Sequence, residues 1–510
     1  MEIGKFDLGQ FWRSLEPSFT PWWFFVFLAF ALLWYYALPK RGRWVILLLA
    51  SFAFCAVGGW QTVASVVLVA CIAWSAGLAI EATPKKERSR RKLLLSCTCI
   101  VLVVALAYVK LNSLFKWSMA WFVVPLGISY YTLSVISYLA DVYRGRQAAE
   151  RNFLHMLLFV AWFPKVLEGP IERYGKLSKQ LVDGNEFEWV SFCHGMQLAL
   201  WGYIKKMVIA DRIAVLTTEA FAHHTKYGGA IMVLSVALAA VQLYCDFSGC
   251  MDIAGGVSQM FGIRLEANFR QPFFSRSAAE FWRRWHVTLG TWFKDYVYMP
   301  LTVSKPVMGV ARWARKHVSN TAPRKIMQVM PLVVVWLFTG LWHGTGVPYL
   351  VWGAWWGVLI ICDVLFAKGY GRVASALHID ANSGAWHAFQ AIRTFGLFCV
   401  GRLITLPNDL AVTGQIITSI ATQPDIWQLV DGTLLNMGLD AVNLNLVVIC
   451  IAVVWVVDLL HERGVCIRQV VGSWPMLVRD LAYVAAVMTV VVFGMYGPMY
   501  SASAFVYMQY

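Results

Sequence analysis

Ionisable side chains are concentrated in one segment of this 510-residue chain, AAEFWRRWHVTLGTWFKDYVYMP at 278–300. It carries five charged residues, one histidine and seven aromatic residues. A neutral imidazole such as that of His286 can accept a proton, and charged side chains can bind a polar substrate. If the segment is one helix, Glu280 faces Arg284, and Arg283 shares another face with His286. We predict substrate contacts for Arg283, Arg284 and Asp295; the alternative is a cytoplasmic helix end whose arginines reach lipid phosphates.

A second histidine, His343, ends an apolar run in the sequence FTGLWHGTGVPYLVWGAWWG at 338–357. Two glycines and a proline follow it, so the sequence predicts that a helix ends there. Burial disfavours the imidazolium form, and a neutral imidazole can take the proton of an attacking alcohol. His343 is therefore a candidate general base, although a histidine at such a place is ordinarily a packing residue. Its neighbour Trp342 is a candidate substrate contact, with packing as the alternative.

Two further stretches bring polar groups into apolar sequence. The segment YCDFSGCMDIAGGVSQMFGIRLEANFRQPFFS at 244–275 contains Asp246 and Asn268, which we predict to bind substrate because an idle polar side chain in apolar surroundings is costly. The segment FPKVLEGPIERYGKL at 163–177 contains Glu168 before a Gly-Pro pair and predicts a turn. The eleven cysteines are scattered without metal-binding spacing, so no metal site is expected.

Composition identifies the class of protein that must position these residues. The chain is 59% hydrophobic, 15% aromatic and only 14% charged, with a mean hydropathy of +0.60. These values lie outside the range of soluble proteins, and repeated apolar runs are long enough to cross a bilayer. The sequence predicts an all-α polytopic membrane protein with about 11–13 transmembrane or re-entrant helices.

The predicted spans, in chain order, are 22–38, 44–57, 62–80, 93–109, 117–139, 189–213, 231–261, 326–342, 347–366, 387–400, 442–460 and 477–495. The first 21 residues carry an apolar pattern typical of an interfacial helix. No composition break follows, so residues 22–510 are predicted to form a single integral-membrane domain, with the most informative motifs between 120 and 360.

Basic clusters in the loops predict the orientation. PKRGRW at 39–44, TPKKERSRRK at 83–92 and DVYRGRQAAER at 141–151 alternate with loops of little charge, so they are expected in the cytoplasm. The N-terminus would then be extracytoplasmic, in a multi-pass protein of the plasma (inner) membrane. The net charge of +15 fits this topology and contact with membrane lipid, rather than nucleic-acid binding.

Five motifs in consistent order resemble the membrane-bound O-acyltransferase (MBOAT) family, particularly its bacterial branch of alginate O-acetylation and teichoic-acid D-alanylation proteins. They are VPLGISYYTLSVISYLADVYRG at 124–145, WFPKVLEGPIERY at 162–174, LYCDFSGCMDIAGG at 243–256, NFRQPFFSRSAAEFWRRWHVTLGTWFKDYVYMPL at 268–301 and GLWHGTGVPYLVWGAWWG at 340–357.

The resemblance implies a ring of helices around a thinned central funnel, with an acyl donor entering from the cytoplasmic side and an acceptor reached from outside. It also implies that His343 is the catalytic histidine and His286 its companion. The reaction would be transfer of an acyl group, preferably acetyl, to a hydroxyl of a cell-wall or secreted polysaccharide. No permanently bound cofactor is expected, only a co-substrate: acyl-CoA or the thioester of an acyl carrier.

The sequence is also compatible with other functions. The alginate-type proteins usually continue with a GGNR sequence after DYVYMPL, whereas this chain has TVSKPVMGVARWARKHVSN. D-alanyl transfer to teichoic acid therefore stays open, with a small acidic carrier protein attracted to the basic run at 305–325. A partner transferase could complete delivery to the polymer. From other classes, a secondary transporter or a bis-histidine haem protein would also use ionisable residues within the membrane.

Overall fold

The computed structural model describes residues 15–115 and 124–496 of this chain. The predicted interfacial helix falls mostly on residues 1–14, outside the described part, as does the beginning of the span predicted at 117–139. The described residues are 78% helical and form no β-strand, only an isolated antiparallel bridge between Phe269 and Trp285. The all-α prediction is confirmed.

Two compact units are present in the described chain. The first comprises residues up to 203 together with 249–267. Its helices are α1 (Trp22–Ala37), α2 (Arg43–Val57), α3 (Trp60–Ala82), α4 (Arg88–Phe115), α5 (Ile128–Arg144), α6 (Phe153–Ala161), α7 (Phe163–Val166), α8 (Tyr174–Val182) and α9 (Trp189–Tyr203).

The second unit comprises residues 204–248 and the chain from 268 onward. A π-helical turn at Ile204–Ala210 leads into α10 (Asp211–Ala222), and α11 (Gly229–Met260) contributes to both units. The following helices are α12 (Ala278–Arg284), α13 (Val287–Phe293), α14 (Met299–Thr302), α15 (Lys305–His317), α16 (Ala322–His343), α17 (Val347–Ala376), α18 (Gly384–Thr405), α19 (Leu410–Thr422), α20 (Ala441–Glu462), α21 (Ile467–Gly472) and α22 (Met476–Phe493).

Seven described helices are long and apolar enough to cross a membrane, namely α3, α4, α11, α16, α17, α20 and α22. Two shorter apolar helices, α1 and α19, accompany them. Many of their large apolar side chains are exposed, which is expected where lipid replaces water as the neighbour. The chain is therefore a multi-pass membrane protein.

One predicted span is not a single helix. The stretch predicted at 189–213 divides into α9, the π-helical turn and α10. The turn carries Lys205 and Lys206, both buried, and π-helical turns are rare in proteins but frequent at functional sites. Periodicity alone does not reveal this interruption, because the apolar residues continue through it.

Helices α16 and α17 approach each other closely through two glycines. A Cβ atom added to Gly340 would lie 2.5 Å from the Tyr349 carbonyl oxygen, and one added to Gly353 would lie 2.6 Å from that of Trp336. Larger residues at either position would force the two backbones apart. This contact fixes the C-terminal turn of α16, where His343 is located.

Candidate active site

His286 lies at a break between two short helices. Helix α12 ends at Arg284, α13 begins at Val287, and His286 between them has φ of 47°, in the left-handed region. The prediction of one continuous helix, with Arg283 and His286 on a common face, is therefore wrong. The break is held by backbone hydrogen bonds to another segment: the Arg270 N–H donates to the Arg284 carbonyl (2.9 Å), and the Val287 N–H donates to the Asn268 carbonyl (3.0 Å).

The Asn268 side chain closes the same turn from the other side. Its Oδ1 accepts from the Thr288 N–H (2.9 Å) and from the Thr288 hydroxyl (2.7 Å), and it lies 3.4 Å from His286 Nδ1. Because an amide oxygen only accepts, this arrangement favours the tautomer with the proton on Nδ1. Asn268 thus orients the imidazole, and Nε2 carries no proton and can accept a hydrogen bond.

The surroundings of His286 are aromatic. The Phe247 ring meets the imidazole edge-on with the centroids 4.9 Å apart, and the Trp342 ring lies at 5.9 Å. The side chain is 1% exposed. Burial lowers the pKa of His286 from 6.5 to about 3, so the imidazole is neutral at physiological pH.

His343 is the last residue of α16, as the sequence predicts. The helix ends because Gly344 is extended, while its N–H still donates to the Gly340 carbonyl (3.2 Å). The His343 ring is 4.8 Å from the Trp342 ring and 4.8 Å from the Trp352 ring, both in edge-on geometry. The histidine is 7% exposed.

Trp342 lies in contact with both histidines. Its indole contacts both imidazoles, so His286, His343 and Trp342 belong to one aromatic cluster of the second unit. Asn268 joins this cluster through His286. The structure therefore brings together four of the residues singled out in the sequence, although they come from three separated segments of the chain.

Asp246 lies in a buried ion triplet. Lys206 Nζ is 2.7 Å from Asp246 Oδ1 and 2.9 Å from Asp211 Oδ1. The Lys206 ammonium group thus bridges two carboxylates, and all three side chains are buried. Asp246 immediately precedes Phe247, whose ring contacts His286. The triplet therefore helps to position the Phe247 ring against the imidazole.

The lysine pair was missed by the sequence analysis. Lys205 Nζ donates to the Ser248 hydroxyl (2.8 Å), and all the charged groups of this region are less than a tenth exposed. The available signal was the pair of lysines inside the apolar run GYIKKMVIA, which is costly unless partners are present.

The predicted substrate-binding arginines have different surroundings. Arg284 forms ion pairs of 2.6 Å with Glu280, as expected for that helical spacing, and of 2.6 Å with Glu462. Arg283 is exposed, and Asp295 is partly buried in a π-helical turn at Lys294–Tyr298. Arg283, Arg284 and Asp295 are therefore not among the residues of the aromatic cluster.

A basic groove of about 450 Å³ lies beside α15 and the start of α16. Arg315 and Arg324 supply its charge. Its remaining lining residues are Tyr298, Thr302, Asn320, Pro323, Met327 and Gln328. Two guanidinium groups among amide and hydroxyl groups can bind a phosphate.

Within residues 15–115 and 124–496, no three His, Cys, Asp or Glu side chains lie close enough together to hold a metal ion. The arrangement around His286 and His343 instead supplies neutral imidazoles in an apolar setting, which suits proton transfer.

Comparison with known proteins places the chain among acyltransferases. Residues 146–375 match the sequence model described as "MBOAT, membrane-bound O-acyltransferase family". "Probable alginate O-acetylase AlgI" of Pseudomonas putida is 33% identical over 422 residues, which cover 79% of this chain and 80% of the relative. The peptidoglycan O-acetyltransferase of Helicobacter pylori is 27% identical over 67% of this chain and 69% of its own. The teichoic acid D-alanyltransferase of Bacillus subtilis is 27% identical over 48% of this chain and 60% of its own.

Proposed function

Because this chain belongs to the membrane-bound O-acyltransferase family, we propose that it acetylates a hydroxyl of an extracytoplasmic cell-wall or secreted polysaccharide. It is a multi-pass membrane enzyme that transfers acyl groups. The relatives that cover two thirds or more of both chains carry the names of O-acetylating proteins. The D-alanyltransferase matches only about half of this chain, which favours acetyl over D-alanyl transfer.

The reaction begins with the acceptor hydroxyl, which is a weak nucleophile until its proton is removed. His343 takes that proton as the hydroxyl oxygen attacks the carbonyl carbon of a thioester donor. The new C–O bond forms, the C–S bond breaks, and the proton passes from the imidazole to the leaving thiolate. Acyl transfer is thereby complete, with the base restored.

His286 contributes as a neutral imidazole held by Asn268. A proton donor near the carbonyl oxygen would stabilise the negative charge that develops there. With Nδ1 directed toward Asn268, His286 itself would accept through Nε2, which suits orientation of the acceptor hydroxyl rather than donation to the oxyanion. In this proposal, the proton transfer does not involve Asp246, Arg283, Arg284 or Asp295.

The donor reaches the enzyme from the cytoplasmic side. The basic run at 305–325 supports this orientation, since lysine and arginine near span ends are retained in the cytoplasm. The groove containing Arg315 and Arg324 suits the phosphate groups of acyl-CoA or of an acyl-carrier thioester. We propose that the protein lies in the inner membrane, with its N-terminus outside because the three early basic clusters favour that orientation.

The observation that carries the proposal is the contact of one indole, Trp342, with two buried imidazoles at a helix end. The test is His343→Gln, produced at the wild-type level in membranes. Mass spectrometry of envelope polysaccharides should show acetyl esters with the wild-type protein and none with the variant. Near-normal acetylation by the variant would remove His343 as the base, while D-alanyl esters instead of acetyl esters would identify the other donor.

A further inference from the structure

A groove lies along helix α19 in the second unit, and none of its lining residues belongs to the histidine cluster. Its volume is about 660 Å³, within the range of about 300–1,000 Å³ typical of ligand sites. Two residues of the turn before α11 form part of it, and the rest come from α19 and its end. The lining residues are His224, Thr225, Ala411, Gly414, Gln415, Ile416, Thr418, Ser419, Thr422 and Gln423.

Helix α19 builds this groove because its faces differ. Ile416 and its neighbours Val412 and Ile420 pack into a core with Met232 and Leu403. Gln415, Thr418 and Thr422 recur at helical spacing on a different face, which borders the groove. The apolar face thus fixes the helix on the protein and leaves the polar face open.

The groove is also held in shape by contacts between its two sides. His224 Nε2 and Gln415 Oε1 are 3.0 Å apart. At the end of α19 the Gly229 N–H donates to the Gln423 carbonyl (2.7 Å), and a Cβ on Gly229 would lie 2.5 Å from Ile420 Cα. This close packing pre-organises the site, which lowers the entropy lost when a ligand binds.

In the proposed orientation, the groove lies on the side of the membrane at which helix α16 ends. Helix α16 starts in the basic run and ends at His343, so the loop after it is extracytoplasmic in the proposed orientation. In that loop, a Cβ on Gly346 would lie 3.4 Å from Oδ1 of Asn408, which precedes α19. The acceptor side of the reaction and the groove therefore share one face.

The polar groups of the lining are hydroxyls, amides and one imidazole, beside the apolar side chains of Ala411 and Ile416. None of the ten lining residues is Asp, Glu, Lys or Arg. Uncharged donors and acceptors suit sugar hydroxyls, whereas a uronate or phosphate polymer would call for cationic partners. We propose that this groove binds a neutral, hydroxyl-rich stretch of the polysaccharide acceptor and presents the chain to the enzyme. The inference rests on the proposed function and narrows its substrate class.

The position of the groove in the sequence supports a role in specificity. The family match ends at residue 375, so α19 lies beyond it, whereas His224 and Thr225 of the same groove lie within it. The helix that supplies most of the groove can therefore differ among family members that use the same chemistry on different polymers. The polymer named for the alginate relatives is anionic, so binding of a neutral polymer would separate the substrate of this chain from theirs.

The test uses the full-length protein in lipid nanodiscs and a matched pair of substitutions. Ala411 and Ala421 are both exposed on α19, but only Ala411 lines the groove. Binding of maltohexaose, cellohexaose and chitohexaose is measured by saturation-transfer NMR and titration, with hexamannuronate as the anionic comparison. We expect at least one neutral hexamer to bind, Ala411→Phe to raise its Kd about tenfold or more, equivalent to about 1.4 kcal/mol, and Ala421→Phe to leave it unchanged.

Acetyl transfer measured with the same proteins separates this inference from the proposed function. Equal binding by the two phenylalanine variants, binding of no neutral hexamer, or tighter binding of hexamannuronate at this site would overturn the groove assignment even with transfer intact. Groove binding together with no ester formation in cells would instead overturn the proposed reaction. The His343→Gln variant should bind the hexamer like the wild type and transfer nothing.

Discussion

Asn268 Oδ1 lies 3.4 Å from His286 Nδ1 while it accepts two hydrogen bonds from Thr288, so a single amide closes the turn that carries the imidazole. The backbone of His286 is left-handed, a conformation that costs free energy for a residue other than glycine. The surrounding hydrogen bonds offset that cost. The orientation of His286 therefore depends on a residue 18 positions away in the chain.

Asn268→Ala removes these contacts and should lower both stability and rate. Loss of the buried partner should lower the free energy of unfolding by about 1–3 kcal/mol. Because the imidazole is then no longer oriented, turnover should fall, while donor KM should change less. Thermal unfolding in detergent and the rate of ester formation measure the two effects. Thr288→Val, which removes only the hydroxyl donor, is the milder control. Wild-type turnover in folded Asn268→Ala would show that orientation of His286 is unimportant.

His286 should not shape the pH profile of the reaction. Its pKa is lowered by burial to about 3, so it stays neutral from pH 5 to 9. His286→Gln should lower the rate but leave the position of the acidic limb unchanged. For stability, the unfolded pKa of 6.5 exceeds the folded one, so the contribution is present above about pH 6.5 and is lost as the pH falls toward 3. The free energy of unfolding of His286→Gln should therefore fall less at acidic pH than that of the wild type. A shift of the acidic limb of the pH–rate profile in this variant would contradict the assignment of His286 as a neutral imidazole.

Lys206→Met tests the buried ion triplet. It leaves Asp246 and Asp211 without their shared cation, which should cost about 3–5 kcal/mol. Asp246→Asn should cost less, because one carboxylate still faces the lysine. Denaturation in detergent compares the two variants. If Lys206→Met is as stable as the wild type, the triplet is not a structural support, and a direct substrate role for Asp246 becomes the better explanation.

Arg283→Gln and Arg284→Gln separate ion pairing from substrate binding. Arg284 is partly exposed and paired with Glu280 and Glu462, so its loss should cost roughly 1 kcal/mol or less after screening by solvent. Arg283 is exposed, and its loss should hardly affect stability. Steady-state kinetics report on contact with substrate: a several-fold rise in donor KM for either folded variant would support the sequence prediction, and unchanged KM values would remove it.

Donor docking on the basic groove should depend on salt. Reversal of Arg312, Arg315 and Lys316 to glutamate should raise donor KM more at low than at high ionic strength, because exposed charges are screened. Arg315→Gln and Arg324→Gln should account for most of the rise in KM, because Arg315 and Arg324 line the groove. Arg312→Gln and Lys325→Gln are the matched controls, because these two residues are neighbours outside the groove. A KM that is independent of salt would indicate that the donor binds another face.

The sequence determined the class of fold and the ends of several elements. Long apolar runs must be helical in lipid because their backbone groups have no other partners, so most spans could be predicted within a few residues. The end of α16 at His343 follows from Gly344, Gly346 and Pro348. The Glu280–Arg284 pair follows from helical spacing alone, and the ordered motifs identified the family.

The tertiary structure decided how the chemical groups meet. The left-handed turn at His286 depends on backbone hydrogen bonds from Arg270 and to Asn268, which local periodicity cannot reveal. Lys206 finds Asp246 forty positions away, and Trp342 links two histidines from separate helices. These arrangements arise from contacts distant in sequence, whereas composition and spacing report only what neighbouring residues impose on one another.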